Sequence, residues 1–177
     1  MMKQSALKNV SIILFVLSLF VTTVFAEDSE VSRGTLAGIQ GVQIVVEELQ
    51  PNVQKYASKA GLTRTQLQKD IEQTLRNYGI RVVSGSDWQK VPGRPVLYVN
   101  VNTHETEKYW YAYDIKVELR QVVTLDANPR AKALANTWSI NMTGIANIGN
   151  LNIIRNDVGV LVQRFGTAYR AVNKGSQ

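Results

Sequence analysis

The chain has 177 residues, 45% of them hydrophobic and 19% charged, with 20 lysines and arginines against 14 aspartates and glutamates, one histidine and no cysteine. That apolar share argues against a disordered chain, and the lack of thiols excludes disulfide scaffolds, cysteine-ligated zinc and thiol catalysis. A formal charge of +6 with no run of consecutive basic residues offers no phosphate-tracking stripe; nucleic acid is therefore not an expected partner, while weak attraction to anionic lipid or polysaccharide surfaces is compatible with it.

Residues 1–26 have the three-part pattern of a secretory signal. Met1 to Asn9 carries Lys3 and Lys8 without an acid, Val10 to Val24 is apolar, and Val24 and Ala26 are small residues at the −3 and −1 positions of a cleavage site. A retained anchor is the rival reading, but the run falls short of the roughly 20 residues that a spanning helix needs. The expected location is periplasmic or secreted, with no stable membrane insertion after cleavage. Residues 27–40 lack an apolar period and read as a flexible leader, 41–173 as a single domain and 174–177 as a tail.

Within the domain, Val42, Ile44 and Val46 alternate with Gln43, Val45 and Glu47 and predict a first strand, broken at Gln50-Pro51-Asn52. Residues 53–61 fit either a helical turn or an irregular crossing. Thr63 and Gln66 have capping-box spacing, Leu62 and Leu67 that of a hydrophobic staple, and Leu67, Ile71, Leu75 and Tyr78 line one helical face, so 64–78 reads as a helix stopped by Gly79. A short strand is expected over Ile80 to Ser84, and a long loop over Ser84 to Pro95, where glycine and proline concentrate.

The strand pattern then resumes at Val96, with Leu97, Val99 and Val101 on one side. A polar connection follows from His104 to Lys108. From Tyr109 to Leu125 the odd positions are mostly apolar or aromatic while the even ones include Asp114, Lys116, Glu118 and Arg120, which predicts one buried and one wet face. Face matching places Val101 opposite Tyr111, Val99 opposite Tyr113 and Leu97 opposite Ile115, because a one-residue slip would expose every apolar side chain. After a turn at Asp126 to Pro129, a strand from about Lys132 to Gly144 should set Leu119 beside Trp138, Val117 beside Ile140 and Gln121 facing Asn136. Helical spacing of Leu151, Ile154, Val158, Leu161, Phe165 and Tyr169 predicts a final helix, with Gly159 and Gly166 both packed closely on the sheet. The expected fold is α+β, a mainly antiparallel sheet of about five strands with two helices on one face, in the order β-α-β-β-β-β-α.

No motif specifies a reaction. His104 lies in a charged connection where a solvated role is expected, and the H-E pair does not extend to H-E-x-x-H because Lys108 holds the last position. Glu47-Glu48, Glu105 and Glu107, and Asp114 and Glu118 read as surface charge rather than a catalytic pair. No cofactor or metal motif is present, so no catalytic residue, cofactor or metal is expected. The suggestive feature is aromatic: Tyr98 and Trp110 should emerge on the wet face beside Asn100, Asn102 and Asp114, and Trp88 in the long loop is a second candidate contact. Such a surface suits a sugar, a peptide strand or a partner protein; its alternative is cross-strand packing that steadies a long ribbon.

Gly61-Leu62-Thr63, Asp70-Ile71-Glu72, Leu75-Arg76, Gly79-Ile80, Pro95 to Asn102, Tyr111-Ala112-Tyr113, Thr137-Trp138-Ser139 and Phe165 to Asn173 together resemble a family of uncharacterised exported bacterial proteins. In element order the domain is also similar to envelope accessory domains such as the lipopolysaccharide-assembly lipoprotein and the amino-terminal domain of the Tol translocation protein, an analogy of fold alone. The absence of a lipid-attachment cysteine departs from the lipoprotein pattern. The resemblance carries no catalytic residues. The wet face and the open sheet edge make the expected function that of a non-enzymatic envelope binding or assembly module engaging a protein or envelope polymer such as polysaccharide. The alternative is a carboxylate-dependent envelope hydrolase. Oligomeric state is left open.

Overall fold

The structure is a computed structural model that describes residues 28–173. The secretory pattern over 1–26 and the 174–177 tail lie outside the described residues. The elements are α1 (Glu30–Gly34), β1 (Gln43–Val46), α2 (Pro51–Ala57) with a 3-10 turn over Ser58–Ala60, α3 (Arg64–Asn77), α4 (Gly85–Lys90), β2 (Val96–Glu107), β3 (Trp110–Leu125), β4 (Asn128–Asn147) and α5 (Asn152–Val172). One mixed sheet runs β1-β2-β3-β4, with β1 parallel to β2 and the other pairs antiparallel. The class is α+β, as expected.

The expected fifth strand is reduced to a single parallel bridge between Val42 and Val82. The reason is local. Gly79, at φ 75°, turns the chain at the end of α3 so that the amides of Gly79 and Ile80 return to Arg76 O and Leu75 O, both at 2.9 Å. The helix α4 then begins at Gly85, leaving too little chain for a ladder. That helix also occupies what was read as a long loop.

Alternation along β2 to β4 sends Leu97, Val99, Val101, Tyr111, Ile115, Val117, Leu119, Trp138 and Ile140 to one face, where all are buried. Helix α3 covers that face with Leu67, Ile71 and Leu75, and α5 covers it with Ile154, Val158, Leu161, Val162 and Phe165. At about 25 cal/mol per Å² of apolar surface removed from water, this layer is the main stabilising term. Thr63 caps α3 by accepting from the Gln66 amide at 3.2 Å, but the Gln66 side chain donates forward to Asp70 at 2.8 Å instead of returning to the cap, so only half of the predicted box forms.

The stretch read as a flexible leader is part of the domain. Leu36 and Ile39 are buried in the main core, Ser29 caps α1, and Asp28 accepts from Trp138 Nε1 at 2.9 Å. Two apolar residues in isolation give no period, which is why the sequence concealed them.

Face matching held and the hairpin length did not. The observed β2–β3 pairs are Val101 with Ile115, Val99 with Val117 and Leu97 with Leu119. The expected loop from His104 to Lys108 is mostly strand, and the chain reverses at Lys108-Tyr109, with Tyr109 at φ 70°. Between β3 and β4 the pairs Leu119 with Trp138 and Val117 with Ile140 are as expected. A bulge beyond Leu119 then sets Gln121 opposite Ala135 rather than Asn136, and its side chain donates to Thr137 Oγ1 at 2.8 Å and to Thr35 O at 3.1 Å.

Helices α3 and α5 are tied by Arg155, which donates to Asp70 through Nε at 2.6 Å and Nη2 at 3.0 Å. The guanidinium holds the Asp70 carboxyl below its ordinary 3.8, and Asp28 is held down in the same way by Arg33. A carboxylate with a depressed folded pKa contributes stability above its unfolded pKa and loses it as the pH falls through the folded value. Acid titration of the unfolding midpoint should therefore show stability falling below about pH 4, and Asp70→Asn should flatten that limb while lowering stability at neutral pH.

Candidate functional site

Among the described residues no helix of comparable length crosses the opposite face of the sheet, and its positions, even-numbered on β2 and β3 and odd-numbered on β4, form rows across the strands. One row is Tyr98, Glu118 and Ser139, the next Asn100, Lys116 and Asn141, then Asn102, Asp114 and Thr143, and then His104, Ala112 and Ile145. Trp110 follows Ala112 on the same side of β3 and is 45% exposed. Alternation predicts Tyr98, Asn100, Asn102, Trp110, Asp114, Lys116 and Glu118 on this face, whereas His104 and Ile145 fall in stretches expected to be connections and are strand residues here.

The structure divides the predicted site. Tyr98 and Asn100 enter a hydrogen-bonded chain: both donate to the carboxylate of Glu47, at the end of β1, and the Arg120 guanidinium lies 3.5 Å over the Tyr98 ring. Arg120 is in turn held by Glu118 at 2.7 Å. Burial, with Glu47 adding to it, raises the Tyr98 phenol above its ordinary value, so this group is a neutral donor at physiological pH. The chain continues from Asn102 to Asn100 at 2.5 Å and from Gln50 to Asn102 at 2.7 Å, while Gln50 Oε1 accepts from the Thr103 amide at 2.8 Å. Here the cross-strand packing alternative describes Tyr98 and Asn100 better than a contact role does.

Asp114 stands apart from that network. It lines a shallow concavity of about 610 Å³ together with Gln50, Asn102, His104, Thr143 and Ile145. Trp110, one alternation step beyond Ala112, flanks the concavity at the hairpin end, roughly 30 Å along the sheet from Tyr98 at about 3.3 Å per residue. The expected pairing of Tyr98 with Trp110 as one aromatic patch is therefore corrected: the register puts them at opposite ends of β2. Trp88 belongs to neither. It lies on α4 and donates from Nε1 to Pro95 O at 3.1 Å, which pins that helix to the start of β2.

Sequence reasoning placed His104 in a loop, whereas it is a strand residue opposite Ala112 and part of the concavity. It missed Gln50, which reaches the sheet from the segment between β1 and α2, and no local signal points there. Asn102 and Thr143 were accessible by parity, whereas Ile145 lies beyond the expected strand end at Gly144. The lining supplies one carboxylate, Asp114, and one imidazole, His104, with the amides of Gln50 and Asn102, the hydroxyl-bearing Thr103, Tyr113 and Thr143, and an exposed aliphatic side chain, Ile145. That set is suited to hydrogen bonding with a neutral or weakly polar ligand surface.

Among the described residues no three or more metal-ligating side chains gather, and no helix is long and apolar enough to cross a membrane. The fold and face together define an α+β domain with a helix-covered side and a polar open side. No protein-family model matches the chain, and comparison with curated proteins returns no match.

Proposed function

We propose that the chain is a non-enzymatic exported binding module of the bacterial cell envelope, which engages a protein or envelope polymer through the open face of its sheet. The supporting observation is the concavity around Asp114, where groups from β2, β3, β4 and the Gln50 segment converge while the opposite face carries the core. Sites on strands are held more rigidly than sites on loops, and this one is braced by the Gln50–Asn102–Asn100 chain beneath its rim. Trp110 supplies a large apolar surface at low entropic cost, the type of side chain that dominates binding energy.

The test is capture from periplasmic extract and co-sedimentation with isolated cell-wall polymer. Asp114→Ala and Trp110→Ala should each weaken capture about tenfold or more, which is 1.4 kcal/mol or above, with far-UV circular dichroism and melting unchanged. Trp88→Ala should leave affinity intact, since Trp88 lies away from the concavity. Capture that survives both open-face substitutions, or turnover of cell-wall polymer that depends on the carboxylates, would refute this reading.

A further inference from the structure

Four of the polar side chains that line the concavity are already bonded: Gln50 donates to Asn102, Asn102 to Asn100, Thr103 to Gln50 and Tyr113 to Asp157. Three are not. Among the described residues the side chains of Asp114, Thr143 and His104 make no hydrogen bond or ion pair. The register gathers them. Thr143 stands directly opposite Asp114, and His104 stands diagonally from it on β2, opposite Ala112. Side chains directly opposed across an antiparallel pair are about 5 Å apart at Cβ, and diagonal neighbours about 7–8 Å.

Ala112 separates this polar group from Trp110 and carries the smallest side chain on its face of β3, so it forms a low floor between His104 and Ile145. Ile145 is 64% and Trp110 45% exposed. Trp110 stands four residues from Asp114 along β3, about 13 Å at about 3.3 Å per residue. One end of the trough is therefore apolar, and the other holds a free carboxylate, a hydroxyl and an imidazole.

Charge narrows the occupant. Asp114 is the single carboxylate in the lining and holds no cation, and Lys116, one row further along, forms no ion pair with it. An anionic ligand would meet that unpaired carboxylate, and a cationic one would approach a chain of formal charge +6. A neutral ligand rich in hydrogen-bond donors satisfies Asp114 without either cost. The floor does not suit a peptide strand, because β3 is paired on both sides and its amides and carbonyls are used inside the sheet.

We propose that the concavity binds a neutral carbohydrate chain, with hydroxyl or acetamido N–H groups of one sugar donating to Asp114 and the C–H face of another lying on the indole of Trp110. This rests on the open-face binding reading and specifies the polymer that the face takes. Sugar C–H groups carry partial positive charge and are attracted to the negative face of an indole, while a hydrogen bond to a carboxylate is roughly twice as strong as a neutral one. A single ring cannot reach both contacts, so the ligand is several linked sugars.

Isothermal titration calorimetry of the purified chain with the monosaccharides and the linear tetramers of N-acetylglucosamine and glucose tests this. One of the tetramers should bind at a single site, at least tenfold more tightly than its monosaccharide. Asp114→Asn and Trp110→Ala should each weaken that binding at least tenfold. Ala112→Phe, which fills the floor without removing a polar group, should abolish it, with circular dichroism and melting unchanged in all three variants. Affinity should be indifferent to raising NaCl to about 0.5 M, which screens charge interactions and not neutral ones. Failure of both tetramers to bind, a monosaccharide as tight as its tetramer, binding unaffected by Ala112→Phe, or affinity that falls with salt would each overturn the inference. If the chain captures a protein from extract in a manner lost on Asp114→Ala while neither tetramer binds, the carbohydrate assignment falls and the binding-module reading stands. If it holds no extract component, no cell-wall polymer and neither tetramer, both fall.

Discussion

Replacing Trp138 with alanine should cost about 3–5 kcal/mol of unfolding free energy, the range for removing a large buried aromatic side chain. Trp138 is 1% exposed, pairs with Leu119, and meets the Phe165 ring at 5.2 Å between centroids in an edge-on arrangement. It is also where four parts of the fold meet: β3, β4, α5 and, through the bond from Nε1 to Asp28, the amino-terminal segment. Helices at fixed positions on both sides of the cavity prevent it from collapsing, which places the expected loss at the upper end. For a chain of this size the melting temperature should fall on the order of 10 °C. Trp138→Phe keeps a large apolar ring but loses the indole donor and part of the ring volume; about 1–2 kcal/mol is expected for that step. Denaturant midpoints for the two variants measure both quantities, and an alanine variant within about 1 kcal/mol of the parent would show that the amino-terminal segment and α5 are not packed as described.

The alternation from Tyr109 onward was sufficient to identify the buried face, because burial on one side of a sheet is a period-two signal that each residue repeats. The β3–β4 register followed for the same reason until the bulge beyond Leu119, which parity cannot anticipate. The β2–β3 register had the right parity but the wrong length, since His104, Glu105 and Glu107 are polar on both faces and nothing in their order distinguishes a projecting ribbon from a loop. The helices α3 and α5 were legible from caps and spacing. Leu36, Ile39 and Gln50 were not: each acts through a contact distant in the chain, with no neighbour sharing its role. The candidate site was legible residue by residue and not as a constellation. Alternation said that Tyr98, Asn100, Trp110 and Asp114 share a face, but distance along that face depends on register, and only register separates Tyr98 from Trp110.

The two glycines of α5 look equivalent in sequence, and substituting each by alanine should shift stability in opposite directions. An alanine methyl at Gly159 meets nothing within 4 Å, so the change should stabilise by about 0.5–1 kcal/mol through helix propensity and a less flexible unfolded chain. At Gly166 the same methyl falls within the ring of Tyr78, at the carboxyl end of α3. That ring is not free to swing aside: Arg170 lies over it at 4.6 Å and donates to Tyr78 O at 3.2 Å, and the Tyr78 hydroxyl is 3.3 Å from Thr167 Oγ1. Overpacking of this kind typically costs about 1–3 kcal/mol, which exceeds the propensity gain, and Gly166→Val should lie at the top of that range. The close approach therefore joins helix to helix, not helix to sheet as the spacing suggested. A double-mutant cycle tests the cause directly: with Tyr78→Ala in place the obstruction is gone, and Gly166→Ala should change from destabilising to stabilising. If its sign is the same in both backgrounds, Tyr78 is not what requires glycine at that position.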